Sequence, residues 1–320
     1  RIGHAYPTCA FVSYPDTTLA EMVANADSVA LVEWVRIASE RKPQQTEFLI
    51  KRIGKGEGAL KVGERKTLTG FRPGMPGDLR IMFGVRKKKS GQIAWGLTKT
   101  SERAFNFAMA SPSPKIATEK RLAFYVRHLE HADEFIAKDA YIEFLNAGIE
   151  DYRKISMDLP REKLLAWTLD DNPESRRQGV YGILLGICGD GETARKLESR
   201  ILEDDTQFRI GIDGVMSGYL MLTGEEGLDL LEPRKFREGV AFVETYALLQ
   251  AVRFMWRYGE GRISDARLQQ SVRILLDNPD VVDLIIPDLA RMEDWSCLDR
   301  IVALYDREKF NTPATKRAII

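Results

Sequence analysis

A ten-residue block of this chain recurs, in register, 32 positions further on: Arg177-Gln-Gly179-Val180-Tyr-Gly182-Ile183-Leu-Leu-Gly186 lies over Arg209-Ile-Gly211-Ile212-Asp-Gly214-Val215-Met-Ser-Gly218 without a gap. Acidic turns precede both copies, Leu169-Asp-Asp171-Asn-Pro173 and Leu202-Glu-Asp204-Asp205, and a Gly-Glu pair follows both, Gly191-Glu192 and Gly224-Glu225. A period in the thirties constrains the fold more than any other feature. Each unit is a helix pair that cannot bury its apolar face alone, so neighbouring pairs must stack. The glycines say how. Each costs about 1 kcal/mol against alanine inside a helix. Spaced three and four apart, they line one helix face, where a neighbouring helix can approach closely. Gly179, Gly182, Gly186, Gly211, Gly214 and Gly218 are therefore expected to be packing residues. The run Gly186-Ile-Cys-Gly189-Asp-Gly191 is glycine-rich, but no Gly-Lys-Ser/Thr follows and no strand precedes it, so a phosphate loop is not expected.

Weaker copies continue the pattern. Phe242-Val-Glu-Thr-Tyr-Ala247-Leu-Leu-Gln-Ala251 carries alanines on the packing face, and Asn278-Pro279-Asp280 and Asn311-Thr-Pro313 repeat the turn that opens a helix. Successive openings are expected at Pro173, Thr206, Phe242, Pro279 and Pro313. Two further amphipathic helices precede them, one through Thr118, Leu122, Tyr125 and Leu129, the next through Asp133, Ile136, Ala140 and Phe144. A stack of this kind needs a polar cap. Lys316-Arg317-Ala318-Ile319-Ile320 instead begins an apolar helix, so either the chain is expected to continue or this face docks on something.

The first third has a different period. Thr17 or Thr18 can cap a short helix, Leu19 to Ala26, with Glu21 in its first turn. Strands are expected over 28–38, 46–53, 66–71, 79–86 and 92–98, separated by turns such as Gly54-Lys55-Gly56 and Pro73-Gly74-Met75-Pro76-Gly77. Five short strands and one helix suit a small closed barrel. Residues from about Ala104 to Lys115, including Ser111-Pro112-Ser113-Pro114, read as a linker. The expected architecture is α+β and multidomain: an OB-like β-barrel over 1–110, a linker over 111–117, and an α-solenoid of helix pairs over 118–320.

Two resemblances sharpen this. The block Leu-x-Asp, apolar-Arg, small-residue helix, Gly-Asp-Gly191 resembles HEAT-like repeats of the bilin-lyase type, over roughly Glu119 to Ile320. That resemblance implies a ladder in which a turn Asp bonds a helix Arg across repeats, which by position is Asp171 with Arg177 and Asp204 with Arg209. It also implies protein binding more than chemistry. Cys9, Ala26-Asp27-Ser28-Val29, Ile50-Lys51-Arg52-Ile53-Gly54-Lys55-Gly56 and Gly77-Asp78-Leu79-Arg80-Ile81 resemble the netrin/tissue-inhibitor-of-metalloproteinase type of OB barrel. In the inhibitors of that family the mature chain begins with a cysteine that grips a protease metal. Eight residues precede Cys9, so that role is not carried over.

Charge divides the chain as the period does. Residues 1–115 hold 19 Lys+Arg against 10 Asp+Glu, and the remainder 28 against 37, so a basic front meets an acidic rear. The 44% hydrophobic content leaves ample surface to bury, and no run of apolar residues is long enough to cross a membrane. Three widely spaced cysteines, Cys9, Cys188 and Cys297, form no disulfide framework and no zinc set. Arg1-Ile2-Gly3-His4-Ala5 resembles the tail of a secretory signal, so export is expected, with a cytoplasmic location as the alternative.

Candidate sites are sparse. His128 and His131 lie three apart on one helix, but zinc needs at least three protein ligands, and a metal is not expected. Arg253, Trp256 and Arg257 form an aromatic-arginine cluster of the kind found at binding hot spots. No catalytic set, cofactor or small-molecule substrate is indicated. The expected function is a non-enzymatic scaffold for a protein partner. Single-stranded nucleic-acid or polyanion binding by the basic barrel is the alternative, through Trp34, Phe48, Phe71 and Trp95. An enzyme or inhibitor with its site at the domain junction is a third reading.

Overall fold

Thr18 opens the first helix as the sequence requires. Its hydroxyl accepts from the Glu21 N–H while the Glu21 carboxylate accepts from the Thr18 N–H, a reciprocal cap. In the computed structural model, which describes residues 17–39, 43–56, 58, 60–170, 177–203 and 209–320, that helix, α1 (Leu19–Asn25), leads into five strands. These are β1 (Ser28–Ser39), β2 (Gln45–Lys55), β3 (Arg65–Thr69), β4 (Leu79–Arg86) and β5 (Ile93–Lys99). All ladders are antiparallel and the strand order is β3-β2-β1-β4-β5. Trp34 faces Phe48 across β1–β2, and Ala30 faces Met82 across β1–β4. Register shifts interrupt the β1–β2 ladder at four places, and such irregularities coil a sheet.

The central strand is buried on both faces, which is why Val29-Ala30-Leu31-Val32 is a continuous apolar run and not an alternating one. One face packs Val29, Leu31, Ile81 and Phe83 under Leu19 of α1 and Phe105. The other gathers Ala30, Val32, Trp34, Phe48, Ile50, Leu68 and Met82, with Trp95 and Leu97 against them. Side chains of the two edge strands thus meet over this second face. The Lys66 ammonium of β3 lies 4.7 Å from the Trp95 ring centroid of β5.

The segment read as a linker begins as a helix, α2 (Glu102–Ala110). The Ser101 hydroxyl accepts from the Ala104 N–H, and Ala104, Phe105, Phe107 and Ala108 are buried. The paired Ser-Pro steps that follow drew the expected linker too far upstream. Next come α3 (Thr118–Tyr125), α4 (Glu134–Asn146) and α5 (Ile149–Lys154). The chain divides into two compact units between Asp151 and Tyr152, well past the expected boundary at 117/118. The reason is local. Phe107 of α2 stacks on Phe124 of α3 with centroids 5.6 Å apart, and the Leu19 N–H of α1 donates to Asp139 of α4 at 2.7 Å. Helices α3 and α4 therefore belong to the same unit as the sheet.

The second unit, from Tyr152 to Ile320, is helical. It contains α6 (Arg161–Thr168), α7 (Gln178–Cys188), α8 (Gly191–Leu202), α9 (Ile212–Thr223), α10 (Glu225–Lys235), α11 (Phe242–Tyr258), α12 (Asp265–Ile274), α13 (Val282–Arg291), α14 (Leu298–Ala303) and α15 (Pro313–Ile319). The openings expected at Phe242 and Pro313 coincide with α11 and α15, and the one at Pro279 lies three residues before α13. Those at Pro173 and Thr206 fall outside the described residues, as do Arg1–Ala5 and Cys9.

Helices α7 and α9 meet backbone to backbone along the glycine face. A Cβ at Gly182 would lie 2.5 Å from Val215 Cα, one at Gly186 2.8 Å from Gly218 Cα, and one at Gly218 would overlap the Gly182 carbonyl. Gly211, at φ 87°, also supplies the left-handed turn that starts α9. Later helices are joined by ion pairs, each between residues 35 apart: Arg209 with Glu244, Glu232 with Arg267, and Arg253 with Asp288.

Candidate functional site

A cleft of about 640 Å³ lies beside the α9–α10 turn, and its walls come from three successive helix pairs. Arg195 and Glu198 project from one face of α8, Glu225 and Glu226 from the first turn of α10, and Arg262 from the segment before α12. Gly224, at φ 68°, makes the turn that sets the two acids at the helix N-terminus, where the dipole favours negative charge. Several of these groups brace the cleft itself. Arg262 donates to the Leu222 carbonyl at 2.8 Å, the Ser264 hydroxyl to Glu225 at 3.2 Å, and the Tyr219 phenol to Glu198 at 3.0 Å. Burial, reinforced by that last bond, pushes the Tyr219 phenol up to about 12. Thr223, the hydroxyl in the lining, donates to the Tyr219 carbonyl at 2.8 Å. Exposed charges of both signs remain in Arg195 and Glu226. The cleft thus presents polar groups and charges of both signs on one concave surface.

The pairs expected of Asp171 with Arg177 and Asp204 with Arg209 fall partly outside the described residues, while Arg209 has a longer-range partner. Asp171 and Asp204 lie outside the described residues, and Arg177 stands at the start of α7. Arg209 donates forward to Glu244 of the next helix pair at 2.8 Å, and to the Arg200 and Ile201 carbonyls behind it. Lys235 reaches the same carboxylate at 2.5 Å. Burial raises the Glu244 carboxyl, but the two cationic hydrogen bonds outweigh it and hold the group below its ordinary value.

The cluster on α11 is split by its packing. Arg253 is spent on Asp288 of α13, at 2.7 Å from Nε, and on Gln250, so it is a brace and not a free anchor. Trp256 is half-buried and Arg257 exposed. His128 and His131 lie close, ring centroids 6.1 Å apart, within an aromatic cluster in which Phe107 and Phe124 flank His128 at 4.9 and 5.0 Å. Burial lowers the His128 pKa, and the His131 Nδ1 accepts the Asp133 N–H. Among the described residues no group of three or more His, Cys, Asp or Glu side chains is placed to hold a metal. Burial raises both the Cys188 and Cys297 thiols, which disfavours the reactive thiolate.

The aromatics considered for nucleic-acid stacking are divided too. Trp34 and Phe48 are core, with the Trp34 Nε1 donating to the Arg72 carbonyl, and Trp95 lies under Lys66, while Phe71 is exposed. Several cations of the sheet are paired: Arg36 and Arg65 with Glu47, and Lys51 with Glu33. Among the described residues no helix is long and apolar enough to cross a membrane.

Sequence reading missed two features. One is a row of exposed apolar side chains, Trp295, Leu298, Val302 and Tyr305, whose three-four-three spacing was the available signal. The other is Asp139, buried on the apolar face of α4 that also carries Ile136, Ala140 and Phe144. No protein-family description, curated protein or solved structure matches this chain.

Proposed function

We propose that this protein is a non-enzymatic interaction scaffold, with an α-solenoid of HEAT-like helix pairs in its second unit and an OB-like barrel in its first. The observation that carries the reading is the recurrence of inter-helix ion pairs at 35 residues, joined to the glycine-lined contact of α7 with α9. Such a repeat gives a surface that grows with the number of units, the usual basis of partner binding by stacked helix pairs. The strand order of the sheet and the meeting of Lys66 with Trp95 support the barrel. The cleft on three helix pairs is the surface assigned to a partner's polar segment.

Affinity capture by the intact chain, run beside a variant with Arg195→Glu and Glu226→Arg, tests this. Both side chains are exposed, so the variant should fold normally. Proteins recovered by the native chain and lost with the variant are expected. Recovery of no partner, or equal recovery by both chains, would overturn the assignment of the cleft.

A further inference from the structure

The two faces of the sheet handle charge differently. Side chains alternate between faces along a strand, so the register sorts them. The five strands contain two acids, Glu33 and Glu47, and both fall on the face that packs Leu31 and Ile81. There they are matched: Arg36 and Arg65 reach Glu47 at 3.1 and 2.6 Å, and Lys51 reaches Glu33 at 2.9 Å. The opposite face, that of Val32, Trp34, Phe48 and Met82, carries Lys66 of β3, Arg80 and Arg86 of β4, and Lys99 of β5, with no acid of any strand. Among the described residues none of these four cations joins an ion pair. Arg80 is the costly one. It is only 8% exposed, its Nη2 donates to the Pro73 carbonyl at 2.5 Å, and its Nε is buried with no partner. A guanidinium offers five N–H donors and keeps its charge at any ordinary pH, so burying one without a carboxylate is unfavourable. The register adds to the cost. Lys99 stands directly opposite Arg80 on β5, where like charges repel. Asp78, two residues before Arg80, is committed to the Met75 N–H at 2.9 Å.

We propose that Arg80 and Lys99 hold a phosphate-type oxyanion where the start of β4 meets the end of β5. Two opposed cations are best compensated by a group with more than one negative charge. The planar guanidinium suits the paired oxygens of a tetrahedral anion, and the ammonium adds a point charge. Burial sets the size of the ligand. A side chain covered as Arg80 is can be reached by a single small anion or by the acid end of a small molecule, whereas a polymer strand tracks exposed cations along a groove. The exposed cations of this sheet lie elsewhere, at Lys87, Lys88 and Lys89 on the turn between β4 and β5. The loop before β4 is braced to leave Arg80 in place. Trp34 donates through its Nε1 to the Arg72 carbonyl at 2.9 Å, next to the Pro73 carbonyl that Arg80 touches.

Calorimetric titration of the full chain with inorganic phosphate, at neutral pH and fixed ionic strength, tests it. The native chain is expected to saturate at a single site with a dissociation constant of about 1 mM or tighter. Lys99→Gln, at an exposed position, should fold normally and weaken binding at least about fivefold. Arg80→Lys keeps the charge and loses the planar donors, so it should weaken binding about tenfold. Because that variant changes a buried residue, the native chain supplies a second readout: the Arg80 Nε–H resonance in isotope-edited NMR should move with phosphate and saturate at the same constant. Lys88→Gln should bind as the native chain does. No saturable binding by about 10 mM phosphate, an Arg80 resonance that does not move, undiminished binding by Lys99→Gln, or loss of binding with Lys88→Gln would overturn the proposal. Phenyl phosphate separates the two sources of the same group. Tighter binding than inorganic phosphate assigns the site to a small phosphorylated molecule, and equal binding assigns it to the free ion. Displacement of phosphate by a single-stranded oligonucleotide, with an affinity that falls steeply with salt, would give this face to a polymer and overturn the small-anion assignment.

Discussion

Each unit of this protein buries several carboxylates, and two of them, Asp139 in the first and Glu244 in the second, are treated in opposite ways. Asp139, on α4 of the first unit, has the Leu19 N–H on one oxygen, and its other oxygen is buried without a hydrogen-bond partner. Burial raises its pKa to about 7, and the charges of Glu143 and Glu21 add to the effect. Arg121, the nearby cation, is given to Glu143 at 2.6 Å. Glu244, in the second unit, is also buried, though less deeply, and accepts from both Arg209 and Lys235, and its pKa is lowered. Burial alone neutralises an acid, while burial with two hydrogen-bonded cations keeps it ionised. Asp139 anchors a short helix, whereas Glu244 ties one helix pair to the next.

The largest effect should come from breaking the paired site. Glu244→Ala leaves two cations in a nearly dry contact between α9 and α11, and such losses cost about 3–5 kcal/mol. Urea unfolding at neutral pH should show the midpoint fall with little change in slope. An effect below about 1 kcal/mol would place Glu244 with ordinary surface acids and erase the contrast.

The unpaired site is expected to respond to pH in the reverse sense from a salt-bridged acid. Unfolded, Asp139 loses its proton near 3.8, and folded it does so near 7. Between those values the native state holds the extra proton, so this group's contribution lowers stability as pH rises through the window and then levels off. Asp139→Asn keeps an oxygen for the Leu19 N–H and cannot ionise. It should match the native chain near pH 4 and exceed it near pH 8, by on the order of 2–4 kcal/mol at 1.36 kcal/mol per pKa unit. Thermal unfolding across that range is the measurement. A native profile parallel to that of the variant would mean that Asp139 is ionised in the fold.

What was legible from sequence follows the same division. The glycine faces were readable because a residue without a side chain reports directly on backbone approach, and Gly182 and Gly218 meet as their spacing implies. The partner of Arg209 was not, because it lies 35 residues ahead on a helix whose position depends on how the pairs stack. Asp139 and Glu143 left a fainter signal. They fall on the i, i+3, i+4, i+7 face with Ile136, Ala140 and Phe144, and two acids on an apolar stripe mark either a helix boundary or buried charge. Strand positions were readable from β-branched runs, but the boundary between units was not. It depends on Phe107, Phe124 and His128 meeting across a stretch whose prolines suggested a break.

The smallest effect belongs to a pair that resembles the others on paper. Arg300 donates to Asp277 at 2.8 Å, joining α14 to the turn after α12, as Arg253 joins α11 to α13. Its side chains are 41% and 70% exposed, so water solvates both charges whether or not they meet. Arg300→Ala should cost no more than about 0.5 kcal/mol and lose even that in high salt, because exposed pairs gain little Coulomb energy and are screened. Measured beside Glu244→Ala under identical conditions, it tests whether desolvation, and not the mere count of ion pairs, sets how strongly successive helix pairs are held. A cost for Arg300→Ala that rivals the buried site would mean that α14 depends on this one tether, and is held less by its buried Ile301 and Leu304 than their burial implies.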